Sequence, residues 1–291
     1  MKKNNIIASV IVSSYNHDAY ILNALDSIKS QNEKKIEIII LDDYSTDGSI
    51  DKIKLWKKKN RYRFNEILII SHIKQHGISD VTLELLASSR SNLVLPLASD
   101  DMFLPHTVDE RISFLNENPK IWVGFSDGSA VDNFGEIIVN SLYKYYKYQF
   151  ADASDAVLKK ELIVNWNYPA NIQFWRKGDW VHEISPGMFS AEVEIALAAL
   201  SNNKIKYLNK ILYQYRCGAW PIQVKGCEKS KRLHLSFYYR KAASQSAGMT
   251  KYALLKLSEY NLSIAANDIT QARKLEKKIH FIKKLPAVFF Q

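Results

Sequence analysis

The chain has only two cysteines, Cys217 and Cys227, among its 291 residues. That scarcity excludes a disulfide scaffold and fits a reducing compartment. The pair shows no metal-ligand spacing, so both read as inert thiols. Long apolar runs are missing too: none reaches the ~20 residues that cross a bilayer. The start is Met1-Lys-Lys-Asn-Asn, followed by an apolar stretch from Ile6 to Val12. Tyr15-Asn-His-Asp18 then stands where a signal peptide would carry small residues, so a cytoplasmic protein is expected. Neither a Gly-x-Gly-x-x-Gly string nor a Walker loop is present, which weakens dinucleotide-dependent and P-loop readings. No histidine pair is expected to have zinc-ligand spacing. His17, His72, His76 and His106 sit beside expected loops, where exposure is the plain expectation. Internal repeats and low-complexity linkers are also lacking.

What is present is a core and an uneven charge. The 47% hydrophobic content is that of a globular chain. The net charge is +10, and from Lys225 onward there are 14 Lys and Arg against 4 Asp and Glu. The first 224 residues therefore hold 26 of each sign, and the whole excess lies in the last quarter. A neutral body over residues 1–224 and a basic helical extension over 225–291 is the expected division, resting on that shift near Pro221 to Lys225. Such a tail suits an anionic surface.

The body alternates buried runs with helical patterns. Ile6 to Val12, Ile36 to Leu41, Ile67 to Ile70, Leu93 to Leu97 and Ile121 to Phe125 read as strands. Helices are expected over Ala19 to Gln31, Ile50 to Lys59, Val81 to Ala87 and after Pro105. This spacing indicates an α/β fold with a mostly parallel central sheet flanked by helices. Beyond Gly135 the pattern loosens. Tyr143 to Tyr148 reads as a surface strand or loop that packs its rings, with sugar stacking as the alternative. Asn171 to Trp175 and Ile205 to Leu208 read as strands, Ala191 to Ala199 as a helix, and the chain from about Leu233 as helical.

Three strands end in polar or acidic clusters: Ser13 to Asn16, Asp42-Asp43 and Asp100-Asp101. In a parallel sheet these ends face one edge, where open α/β sheets bind ligands. Adjacent carboxylates there suit a hard divalent cation held through oxygen. The alternative for Asp100-Asp101 is capping of the following helix.

The strings Val10-Ile-Val-Ser-Ser-Tyr-Asn16, Ile38-Ile-Ile-Leu-Asp-Asp-Tyr-Ser-Thr-Asp-Gly-Ser49, Leu95 to Asp101 with Pro105, and Ser126 to Glu136 occur in that order. Together they resemble the family 2 glycosyltransferases, which have the GT-A fold and invert the anomeric centre. The resemblance covers residues 6 to 136 and echoes weakly to Tyr215-Arg216. It implies that Ser13 and Tyr15 line a nucleotide pocket. Asp43 would accept a hydrogen bond from the base, usually uracil, Asp101 would ligate Mn²⁺ or Mg²⁺, and Asp100 beside it would meet ribose or metal. The first acid of a strict Asp-x-Asp would fall on Ala98, so fewer protein ligands are expected. Glu192-Val-Glu-Ile-Ala-Leu197 matches the family's base-bearing helix with Glu in place of Asp. Glu192 is the candidate general base and Glu194 its rival. Arg216 would meet diphosphate or pair with a structural acid. His17 and His106 are placed to touch donor or acceptor, with exposed loop positions as the plain alternative.

The implied activity is transfer of a sugar from a nucleotide sugar, a UDP-sugar by the usual base, to a saccharide acceptor. With the basic tail, the acceptor is expected to be lipid-linked, in surface polysaccharide assembly on the inner membrane face. In residues 273 to 285 the stripe Leu275, Ile279 and Ile282 either lies in an anionic bilayer or packs on the body. Two other functions remain open. One is a nucleic-acid-binding module using the tail. The other is a nucleotidyltransferase, although Ser13-Ser-Tyr-Asn16 lacks the basic Gly-rich loop it would need. No nucleic-acid partner is expected.

Overall fold

The computed structural model describes residues 6–145, 155–164, 172–188, 190–217 and 227–290. Four strands alternate with three helices in its first third. These are β1 (Ala8–Ser14), α1 (Ile21–Lys29), β2 (Ile36–Asp42), α2 (Ser49–Asn60), β3 (Glu66–Ser71), α3 (Ile78–Ser88) and β4 (Leu93–Ala98). The four strands pair in parallel in the order β3-β2-β1-β4. β2 is buried at every position, with Glu37, the acid within its apolar run, bonded by Ser9 and Arg90. The helices pack through their apolar stripes, for example Ile21, Ala24, Leu25 and Ile28 of α1. The expected elements of this block are all found, with ends shifted by up to three residues.

Then come β5 (Met102–Phe103), α4 (Thr107–Glu117), β6 (Val123–Val131), β7 (Ile137–Val139), α5 (Leu142–Tyr145) and α6 (Asp155–Val164). β8 (Gln173–Arg176), α7 (Ala191–Ser201) and β9 (Ile205–Arg216) complete the sheet region. β8 is antiparallel to both β4 and β6, so it joins the parallel block to the rest. β9 runs parallel to β6 and antiparallel to β5. The nine strands form one sheet in the order β3-β2-β1-β4-β8-β6-β9-β5, with β7 added on β6.

β6 extends past the expected Phe125 to Val131 and is buried along its length. Its polar centre finds partners from distant segments: Ser126 with Arg111 of α4, Asp127 with the Ser141 hydroxyl. Gly124 is needed because a Cβ there would lie 2.3 Å from the Phe174 ring. Tyr143 is not on a surface strand or loop. It lies in α5, is buried, and donates its hydroxyl to the Ser126 carbonyl at 2.8 Å, so it is unavailable to a sugar. Residues 146–148 of that aromatic cluster fall outside the described residues, as do Asn171 and the expected boundary at 221–225.

Three helices finish the chain: α8 (Cys227–Ser244), α9 (Gly248–Ala265) and α10 (Ile269–Lys284). Asp268 caps α10 by accepting the Gln271 N–H at 2.9 Å. Ala272, Leu275, Ile279 and Ile282 are buried, and α10 packs on α9. The apolar stripe is thus used inside the protein. α8 is fastened to α7 by the Tyr238 hydroxyl on the Ser190 backbone, by Ser201 on the Ala242 carbonyl, and by Lys241 on Glu194. No helix among the described residues is long and apolar enough to cross a membrane.

Candidate active site

The tips of β1, β2 and β4 converge because the strands are parallel and in register. Ser14 lies opposite Asp42, and Ser13 opposite Ala98. The chain leaves β1 through Asn16, which has a φ of 51°, a left-handed conformation that Asn tolerates. Its backbone N–H and side-chain oxygen bond to Ser45 and the Thr46 N–H. Asp42 accepts from both the N–H and the hydroxyl of Ser45. Asp47 accepts from the N–H groups of Asp18 and Ser49 at the head of α2. Much of the Asp-Asp-Tyr-Ser-Thr-Asp string therefore stitches two loops together. Ser13 and Tyr15 are half-buried on the edge they frame.

Asp43 is the member of its pair that faces away from this scaffold. It is 5% exposed. Its Oδ1 accepts the His76 N–H at 2.9 Å and lies 2.7 Å from His72 Nδ1, and its Oδ2 accepts the Gly77 N–H at 2.9 Å. Burial pulls this carboxyl's pKa upward, but the His72 ring and the two backbone donors outweigh it and hold it below the usual value. His72 is shifted the other way. Burial lowers it, and the bonds to Asp43 and Glu84 raise it further, so it favours the imidazolium. Neither His72 nor His76 is a free loop histidine: both converge on Asp43, within 4.8 Å of one another by ligand atom. The His-x-x-x-His spacing was the signal, and it becomes visible only when the β3–α3 turn folds back.

Asp100 and Asp101 have different surroundings. Asp101, 1% exposed, accepts the Tyr213 hydroxyl and, at 2.8 Å, the Arg216 N–H, both from β9. Asp100 lies 3.8 Å from His17 Nδ1, and His17 is held by the Ser99 hydroxyl at 2.8 Å. Burial raises the pKa of both carboxyls, and repulsion from Asp100 adds to the rise at Asp101. The pair does not cap α4, whose N-cap is His106. Arg216 is 1% exposed. Its guanidinium donates to the Asp100 and Asp132 carbonyls and lies 4.7 Å over the Tyr20 ring, so it braces the acid turn. His106 sits apart, beside Asn32.

Glu192 and Glu194 stand in the first turn of α7, both buried. Glu192 accepts the Thr82 hydroxyl at 3.1 Å and the Ser190 hydroxyl at 2.7 Å. Glu194 is neutralised by Lys241 at 2.7 Å and also accepts from the Ser185 backbone and hydroxyl. Glu194 is thus a fastening between α7 and α8, and among the described residues the Glu192 carboxylate is bonded by hydroxyls.

The chain is similar to known proteins in fold and in sequence. A Staphylococcus aureus TarS structure with UDP-GlcNAc superposes with a TM-score of 0.60, at 17% identity, covering 94% of this chain and 91% of that one. A Pyrobaculum calidifontis mannosyltransferase with GDP-Man and Mn²⁺ gives 0.59 at 14% identity, covering 97% and 77%. These show the fold, which is GT-A. Among sequence relatives, an uncharacterized glycosyltransferase of Methanocaldococcus jannaschii is 22% identical over 80% of this chain and 77% of its own. An Escherichia coli UDP-Glc:α-D-GlcNAc-diphosphoundecaprenol β-1,3-glucosyltransferase is 29% identical over 69% and 82%. Other relatives are far longer: the chain spans 22% of a Pasteurella multocida chondroitin synthase. The sequence profile described as Glycosyl transferase family 2 matches residues 9–164, more than half of the 291 residues, so the chain belongs to that family and is an enzyme of the glycosyltransferase class.

Proposed function

We propose that the enzyme moves a sugar from a UDP-sugar, with inversion, to a saccharide carried on a lipid diphosphate. The observation that carries this reading is the meeting of Ser13, Tyr15, Asp43 and Asp100 on one sheet edge. Asp43 Oδ2 has one described donor, Gly77 N–H, and so keeps a lone pair for an imide N–H such as uracil N3–H. The Escherichia coli relative's name supports both the UDP donor and the lipid-diphosphate acceptor.

A divalent cation, Mg²⁺ or Mn²⁺, fits the acid turn. Burial raises the pKa of two adjacent carboxyls there, and their mutual repulsion adds to the rise at Asp101, so a bound cation would favour their ionised forms. Asp101 is engaged by Tyr213 and Arg216, so Asp100 is the residue that would hold the ion. When bound, such an ion neutralises charge on the leaving diphosphate. Glu192 takes the proton of the acceptor hydroxyl as that oxygen attacks the anomeric carbon and the nucleoside diphosphate departs. Glu194, paired with Lys241, does not.

The basic tail supports peripheral attachment to the inner face of a membrane, by a route other than the buried stripe. Lys274, Lys277, Lys278, Lys283 and Lys284 are exposed on α10, with Phe281, Val288 and Phe289 exposed beside them. Each such cation near an anionic leaflet adds about 1 kcal/mol. The test is a screen of UDP-, GDP- and dTDP-sugars for slow hydrolysis, with Mn²⁺ and with EDTA, alongside thermal shifts with the free nucleotides. UDP-sugar turnover lost in EDTA is expected. Stabilisation by GDP alone would replace the donor, and full turnover in EDTA would remove the metal. Sedimentation with anionic vesicles at low salt tests the tail, and native protein left in the supernatant overturns it.

A further inference from the structure

The cluster at the end of β2 and β3 does more than present Asp43. The two strands pair in register to Asp42 and Ser71, so the next residues, Asp43 and His72, emerge side by side. Four residues later the turn returns, with Gly77 at a φ of +93° directing the chain into α3. His76 thereby lands on the same point. Asp43 Oδ1 to His72 Nδ1 is 2.7 Å, His72 Nδ1 to His76 Nδ1 is 2.9 Å, and Asp43 Oδ1 to His76 Nδ1 is 3.6 Å. Among the described residues this is the one group of three or more such side chains whose ligand atoms converge.

Two ring nitrogens facing each other at 2.9 Å cannot both carry protons. Without a metal, one proton on His72 Nδ1 must serve both Asp43 and His76. A metal ion in place of that proton would satisfy all three atoms. The other side of His72 is already prepared: its Nε2 lies 2.9 Å from Glu84 Oε2 on α3. A carboxylate on the far nitrogen is the usual outer support of a metal-bound imidazole, because it fixes the tautomer and strengthens the ligand. Tetrahedral ligation with bonds of about 2.0–2.1 Å puts ligand atoms about 3.3 Å apart. The three separations straddle that value, so shifts of a few tenths of an ångström would seat the ion. The donor set of two imidazoles and one carboxylate favours a zinc-class ion over Mg²⁺, which prefers oxygen. The His76 side chain is 35% exposed, which supplies an entry path and leaves a position open to solvent.

We propose that Asp43, His72 and His76, backed by Glu84, form a site for a zinc-class divalent cation, separate from the cation of the Asp100 turn, that pins the His72–Gly77 turn to the tip of β2. The site does not depend on the donor or the acceptor named above.

The experiment uses the full chain without an affinity tag and stripped of metal. Zn²⁺ is titrated by calorimetry, and Co²⁺ by its visible absorption. One Zn²⁺ per chain is expected, with a Co²⁺ spectrum of four-coordinate type and a rise in melting temperature. Asp100→Asn should leave all three unchanged. His76→Ala, at a partly exposed side chain, should lose at least a hundredfold in Zn²⁺ affinity while folding normally. Glu84→Gln should lose about 10–100-fold. Zn²⁺ bound equally well by native and His76→Ala protein overturns the proposal. So does a six-coordinate Co²⁺ spectrum, or loss of the tight site in Asp100→Asn.

Discussion

Two acid pairs lie at the tips of β2 and β4, the strands on either side of β1, and Asp43 differs from Asp100 and Asp101 in the direction of its pKa shift. In Asp42-Asp43, one acid builds the loop and the other is surrounded by donors, and Asp43 is held below its usual pKa. In Asp100-Asp101, one acid is again built in, but both carboxyls are raised. The first pair is compensated by the protein itself, through His72 and two backbone N–H groups. In the second, burial outweighs the compensation that Arg216 gives. The same sequence element, two adjacent aspartates after a buried strand, is therefore met in two ways: Asp43 by donors of the protein that outweigh its burial, Asp100 and Asp101 by burial that outweighs their donors. Glu192 and Glu194 repeat the contrast on α7, one bonded by two hydroxyls and one locked to Lys241.

The largest effect is expected from splitting the second pair. Asp100→Asn should cut metal-dependent turnover by roughly a thousandfold or more, the scale of several kcal/mol of lost charge neutralisation. Its melting temperature should stay within a few degrees of native. Asp101→Asn should cost stability as well, about 1–3 kcal/mol, because it weakens the acceptor for the Tyr213 hydroxyl and the Arg216 N–H. Steady-state rates with thermal unfolding would show the division. Equal stability loss in both variants would break the claim that only one acid is scaffold.

The pair on α7 comes next. Glu192→Gln should lower turnover by roughly 10²–10⁴-fold with nucleotide binding kept. Glu194→Gln should act mainly on stability by weakening its bond with Lys241. If the order of the two rate effects reverses, Glu194 is the base and the contrast drawn on α7 is wrong.

How far these roles could be read in the sequence depends on how far apart in the chain the partners lie. β1, β2 and β4 were legible because strands covered on both faces must be apolar throughout. Their tips were legible because polar residues follow at once. The division of labour within each pair was not. The partners that bond Asp101, Tyr213 and Arg216, lie more than a hundred residues on, and the donors around Asp43 come from a turn that folds back after β3. The polar half of β6 was missed because Ser126-Asp-Gly-Ser129 carries no apolar alternation; its burial depends on Arg111 and Ser141. The apolar stripe of α10 read equally well as lipid-facing or protein-facing, since periodicity gives a face and not its partner. Its packing on α9 decides that.

A smaller effect follows from neutralising the first pair's reader. Asp43→Asn should weaken UDP binding by about 1.5–3 kcal/mol, the scale of a hydrogen bond to a charged group. Calorimetry with UDP and CDP sharpens the reading, because cytosine lacks the imide N–H. The loss should appear for UDP and be small for CDP. An equal loss for both would mean that Asp43 shapes the pocket without reading the base.

The smallest effect tests whether His72 is what compensates the first pair. Its pKa is raised above the ordinary 6.5, so its contribution to stability is fully present below that value and is lost as pH rises through the higher folded value. Asp43 is lowered below 3.8, so its contribution is present above that value and is lost as pH falls through the lower folded one. Together they define a plateau between about pH 4 and pH 6.5. Native protein and His72→Asn, both in EDTA to exclude any metal, should differ most in melting temperature on that plateau. The gap corresponds to about 1–3 kcal/mol for a buried charge-assisted bond. It should narrow steadily as pH rises beyond neutral, because the imidazolium gives up its proton while Asp43 stays ionised. A gap that holds constant to pH 9 would mean that His72 supports the turn as a neutral ring. The backbone donors of His76 and Gly77 would then compensate Asp43 without it.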